Sequence, residues 1–222
     1  MKKPLLAALL SFNGGFVDTA GFIGLQGLFT AHVTGNFVTL GAALVFGTKG
    51  VIAKLIALPE FICVIAAVRL AANALTAYQL PALRLFLVLK ACLLLAFLLV
   101  AVKFGPFDDS DAPTALLAGF FGIAAMAIQN AVQRLHLSNL PPTTIMTGNT
   151  TQVTLDGIDL LMVTSKEQRS IISIRFQRIL RGIVVFAAGC AAAAALYAWI
   201  GFWCLGLPLA LAVLTAITSA ED

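Results

Sequence analysis

Asp18 is the residue whose type and position most suggest chemistry. It sits in the apolar run 4–25, and Gly14, Asp18 and Gly21 fall at i, i+4 and i+7, so a helix places them on one face. A carboxylate at that depth is too costly to leave against hydrocarbon and must face other helices or water. There it could bind a proton or a cation, or anchor a cationic group of a solute. It could equally be a structural ion-pair partner for Arg69, which lies deep in the third apolar run.

Gln129 and Asn130 are the next polar pair in an apolar setting. Gln129 shares a helical face with Gly122, Ala125 and Gln133, while Asn130 and Arg134 form the adjacent stripe. Amides in membrane helices bond between helices or line a polar site. The tripeptide Thr34-Gly35-Asn36 returns as Thr147-Gly148-Asn149. Its glycine could let helices approach, with Thr34 and Thr147 bonding across. The motif could instead break its helix and offer free N–H groups to an anion. Alternatively, Asn36 and Asn149 could line a central polar site. The candidate solute- or ion-binding set is therefore Asp18, Thr34, Asn36, Gln129, Asn130, Thr147 and Asn149.

Enzymatic chemistry is not expected. The sequence has no HExxH, GxSxG, Walker loop or strand-linked GxGxxG. Asp156 and Asp159 are three apart on a helix, but Asp159 falls at the membrane edge. His32 and His136 lack an i+4 ligand partner, and Cys63, Cys92, Cys190 and Cys204 are isolated, so neither a metal site, a disulfide nor a cofactor is indicated.

These residues must be positioned by membrane helices. The chain has 222 residues, of which 60% are hydrophobic and 11% charged, and its mean hydropathy is +1.00. Soluble domains carry about 45–50% apolar and about 25% charged residues. The balance predicts an all-α polytopic membrane protein, one transmembrane domain over 1–222, with no room for a soluble catalytic domain. The net charge of +4 fits cationic cytoplasmic loops rather than nucleic-acid binding. Met1-Lys2-Lys3-Pro4 and the apolar run behind it imitate a secretory signal, but no convincing cleavage site follows, and the run reads as a retained first helix.

Eight apolar segments can be drawn, near 4–25, 28–47, 52–78, 83–102, 113–135, 143–163, 179–198 and 202–219. A basic, amphipathic linker, 165–178, reads as a juxtamembrane helix resting on anionic lipid. The Asp-rich stretch 107–111 falls midway. With the two Thr-Gly-Asn motifs at equivalent places, it predicts two four-helix repeats, 1–106 and 112–222.

The stretches Gly15-Phe16-Val17-Asp18-Thr19-Ala20-Gly21 and Leu28 to Asn36, with Ile128-Gln129-Asn130-Ala131 and Met146-Thr147-Gly148-Asn149, resemble the YoaK-like family of bacterial membrane proteins, a domain of unknown function. The resemblance covers nearly the whole chain. It implies a small inner-membrane protein suspected of transport, with no established substrate. Where the first half has Asp18-Thr19 the second has Gln129-Asn130, so a charge-dependent role falls to the first half.

Lys and Arg decide orientation. With the N-terminus cytoplasmic, eight full crossings and six crossings plus two re-entrant helices give the same cytoplasmic excess, and both treat Lys90 as a loop cation. Segment length favours eight crossings, making the repeats parallel; the polarity of 147–156 favours six, making them inverted. The expectation adopted is eight. The leading functional reading is a small-solute transporter or channel with a central polar site between the repeats. The rival is a membrane-embedded scaffold or accessory subunit. Expected partners are the lipid bilayer and an unidentified small solute or ion, with a homo-oligomer as a further option.

Overall fold

The computed structural model describes residues 3–218 and is all-helical over that range. The helices are α1 (Lys3–Gly24), α2 (Gly35–Phe46), α3 (Val51–Ala77), α4 (Ala82–Phe104), α5 (Pro113–His136), α6 (Met146–Met162), α7 (Lys166–Ile200) and α8 (Gly206–Thr218), with a 3-10 turn at Gly201–Leu205 before α8. Five stretches are long and apolar enough to cross a membrane: 4–24, 51–77, 82–104, 113–136 and the folded-back 166–218. The protein is thus a multi-pass helical membrane protein.

Position in the bundle follows side-chain size and polarity. The Ala- and Gly-rich α1 and α5 are central, with 67% and 72% of their apolar windows buried, against 22% for the peripheral α3. α1 packs on α7, α5 on both α3 and α4, and α4 on α8, while α2 and α6 lie along α3 and α7.

One end of the bundle gathers several chain reversals. Gln26 and Gly27 take positive φ values of 53° and 83°, which ends α1. The Lys54 ammonium donates to the Gln26 carbonyl at 3.1 Å, and the Gln26 amide donates to Phe107 O at 2.9 Å. Asp111 accepts from Gly50 N and Ala53 N, so the midway acidic stretch caps α3.

Those contacts correct the second segment. It was expected to cross over 28–47, yet Lys54 touches Gln26, so the chain has returned to the end it left. Residues 25–34 are non-helical, and α2 has 12 residues, about 18 Å, too short for a hydrocarbon core of about 30 Å. α6 has 17 residues and doubles back along the start of α7, with Asp156 paired to Arg175. The linker 165–178 is also not separate: α7 runs 35 residues, about 52 Å, through it and the seventh segment without a break.

Candidate functional site

Two buried polar clusters lie along the α1–α5 interface, and each holds the non-helical stretch that precedes a short helix. In the first, the Asp18 Oδ1 accepts the backbone N–H groups of Thr30 (2.8 Å), Ala31 (2.6 Å) and His32 (3.3 Å) and the Thr30 hydroxyl. Its Oδ2 lies 2.6 Å from His32 Nδ1. Three converging N–H groups make a concave anion cradle, here filled by the protein's own carboxylate. His32 lies outside the membrane-spanning helices, and its hydrogen bond to Asp18 raises the imidazole pKa above its usual value, against partial desolvation. Room for the loop comes from glycine: a Cβ on Gly21 would stand 2.7 Å from the Thr30 methyl, and one on Gly122 of α5 3.0 Å from it.

The second cluster centres on Gln129, which is fully buried. Its amide donates to Leu10 O at 2.8 Å and to the Thr143 hydroxyl at 3.2 Å, while its Oε1 accepts from the Lys90 ammonium at 2.5 Å. Beside it, the Thr144 hydroxyl donates to Asn130 Oδ1 at 2.7 Å. Gly14 leaves space for this loop, since a Cβ there would stand 3.1 Å from Thr143 O.

Lys90 is the residue that sequence reasoning missed. It is not a loop cation but a member of α4, with 0% exposure and a neutral amide as its bonded partner. A lysine deep among leucines carried the signal, since an intramembrane cation is costly and seldom incidental.

The Thr-Gly-Asn motifs work through their asparagines. Asn36 clasps Phe29 on both sides: Phe29 N–H donates to Oδ1 at 2.8 Å, and Nδ2 donates to Phe29 O at 2.9 Å. Asn149 donates to Pro142 O at 2.8 Å, again seven residues back. Proline has no N–H, so the second clasp is single. Thr34 and Thr147 are exposed.

The expected Asp18–Arg69 pair is corrected: the charged partner of Asp18 is His32, and Arg69 is exposed on α3. Nor do the candidate residues converge on one cavity. Asp18, Asn36, Gln129 and Asn130 tether loops within the packed bundle, whereas Asn149 also borders a cleft of about 710 Å³ between the 138–142 loop, α6 and the start of α7.

The family model described as "Protein of unknown function (DUF1275)" matches residues 6–218. Among curated proteins, the "UPF0700 transmembrane protein YoaK" of Bacillus subtilis (strain 168) is 28% identical over 189 residues, spanning 84% of this chain and 80% of that protein. No solved structure matches the chain.

Proposed function

The chain belongs to this DUF1275 family, and from that membership and its own geometry we propose a small-solute transporter or channel of the bacterial inner membrane, built from two inverted repeats. The observation that carries the reading is the pair of short helices, α2 and α6, each entered through a non-helical loop that a buried polar residue holds down. Short or interrupted segments in corresponding positions of two halves are the usual sequence pointer to a transport site.

The pairing of elements supports duplication over 1–106 and 112–222. α1 on α7 mirrors α5 on α3, α2 on α3 mirrors α6 on α7, and α4 on α8 is its own mirror image. The tethers repeat as well: Asp18 to His32 and Asn130 to Thr144 both span 14 residues, and Asn36 to Phe29 and Asn149 to Pro142 both span seven. On this reading α1, α3, α4, α5 and α7 cross, the 3-10 turn Gly201–Leu205 and α8 together make the sixth crossing at about 30 Å, and α2 and α6 are re-entrant. Three crossings per half invert the second repeat relative to the first. The N-terminus is cytoplasmic, which puts the basic start of α7 on the same side.

Lys90 is assigned the central role. It joins α4 of one half to Gln129 of the other, next to the loop that carries α6. A cation so placed can bind an anionic group or exchange a proton as α6 moves. Asp18, with four donors on Oδ1 and the His32 imidazole on Oδ2, is assigned to hold α2's loop.

The test is uptake by proteoliposomes across a panel of anionic and neutral solutes, with and without proton and sodium gradients. Lys90→Met keeps the side chain's length and removes its charge. It should fold and lose flux by about tenfold or more, the worth of one charge-assisted bond. A protein inert across the panel would leave the accessory-subunit reading. Flux unchanged in Lys90→Met would remove Lys90 from the mechanism.

A further inference from the structure

We propose that the cleft between the 138–142 loop, α6 and the start of α7 is a binding site for an anionic phospholipid, whose phosphate is held by Arg134 and Arg178. Such a site needs only the membrane setting and no transport activity.

The cleft encloses about 710 Å³, and a smaller cavity of about 150 Å³ lies across the 140–142 strap, bounded by Arg178 and Arg181. Arg178 borders both. Arg134 approaches from the last turn of α5 and Arg178 from α7, so the two guanidinium groups belong to different walls of one cleft.

Charge complementarity defines the occupant. The fully buried Asp156 engages Arg175 through three bonds, Nε to Oδ2 at 2.9 Å and to Oδ1 at 3.2 Å, and a terminal nitrogen to Oδ1 at 2.5 Å. Gln152 fixes the same carboxylate at 2.7 Å. That acid is therefore matched by Arg175. Arg134, Arg178 and Arg181 form no ion pair among the described residues, and the site keeps a net positive charge. Guanidinium forks suit the paired oxygens of a phosphate.

The remaining wall selects a lipid over a soluble phosphate. Ile145, Ile171, Ile174 and Ile179 line the cleft. A free anion has no use for such a surface, whereas an acyl chain or glycerol backbone covers it. Depth agrees: at about 52 Å, α7 exceeds the hydrocarbon core by several turns, so its arginine-bearing start emerges at headgroup level. Basic pockets between helices at that level take anionic headgroups.

The test is native mass spectrometry of the full chain in detergent, titrated with phosphatidylglycerol, phosphatidylcholine or soluble glycerol phosphate. The wild type should retain phosphatidylglycerol over phosphatidylcholine by about tenfold, and Arg134→Gln/Arg178→Gln should lose that preference. Arg69→Gln, an exposed cation on α3, should keep it. If the double variant folds poorly, Ile174→Glu leaves both arginines and sets a carboxylate against the phosphate; it too must abolish the preference. Equal retention of the two lipids by the wild type overturns the proposal, as does a preference that survives these changes. Glycerol phosphate that binds as tightly as the lipid and displaces it would show a free-phosphate site instead.

Discussion

At the level of single residues, Asp18 and Lys90 answer the same problem differently. Each is a charged group that a membrane bundle must keep from hydrocarbon. Asp18 is surrounded by backbone donors and a histidine, whereas Lys90 has a neutral amide. The Asp18–His32 contact gives stability a pH dependence whose sign follows from linkage. The folded-state pKa of His32 is raised above 6.5, so its contribution is fully present below that value and is lost as pH rises through the folded pKa. Melting of wild type and His32→Gln in detergent from acid to alkaline pH should therefore show the widest gap at low pH, closing as pH rises. A gap that widens with pH contradicts this. Asp18 was legible in the sequence because its Gly14–Gly21 face is readable by spacing alone. Its partner was not: Arg69 shares its sign with many cations, and His32 reaches Asp18 only because Gln26 and Gly27 turn the chain back. Lys90 was obscured by the habit of assigning cations to loops, although its neighbours in α4 are leucine, valine and alanine on both sides.

At the level of elements, apolar composition located the long helices and misjudged the short ones. Residues 25–34 contain Leu25, Leu28, Phe29 and Val33 and read as membrane-spanning by hydropathy, yet they are loop because Asn36 and Asp18 satisfy their backbone in place of helical bonds. In the second half Asn149 takes up the Pro142 carbonyl, whereas Gln129 and Asn130 hold the loop through the hydroxyls of Thr143 and Thr144. The repeated tripeptide was thus visible, while its use as a loop clasp depends on pairings seven residues apart that no helical period contains. The central α1–α7 contact depends on two glycines. A Cβ on Gly189 would press on the Phe12 carbonyl oxygen, and one on Gly15 on that of Phe186. Both obstacles are backbone, which cannot rotate aside. Gly15→Ala and Gly189→Ala should each destabilise by about 1–3 kcal/mol, the cost of overpacking a tight core. Gly41 on α2 has nothing within 4 Å of its Cβ position, so Gly41→Ala should be neutral or stabilising by up to about 1 kcal/mol. Detergent melting of the three variants makes the comparison, and equal behaviour of all three would dismiss the close-contact argument.

At the level of the whole molecule, the number of crossings decides how the two halves relate. Charge counting alone gave eight and six crossings the same cytoplasmic excess. The contacts at one end of the bundle distinguish them. Gln26, Lys54 and Phe107 are joined by hydrogen bonds, and Lys49 approaches Asp109 at 4.0 Å. The end of α1, the start of α3 and the 105–112 connection therefore share one end, which a crossing α2 would forbid. At the other end, the start of α1 and the 140–142 strap border a cavity together with Arg178 and Arg181 of α7. Lys49 and Lys166 consequently fall at opposite ends of the bundle. With Cys63, Cys92, Cys190 and Cys204 replaced, a cysteine at 49 should react with an impermeant maleimide in intact cells. A cysteine at 166 should react only after permeabilisation. Labelling of both from the same side would restore the parallel, eight-crossing arrangement and remove the inverted repeats on which the proposed function rests. The expected pattern would place the arginine-lined cleft and the N-terminus together on the cytoplasmic face, where cations are concentrated in membrane proteins.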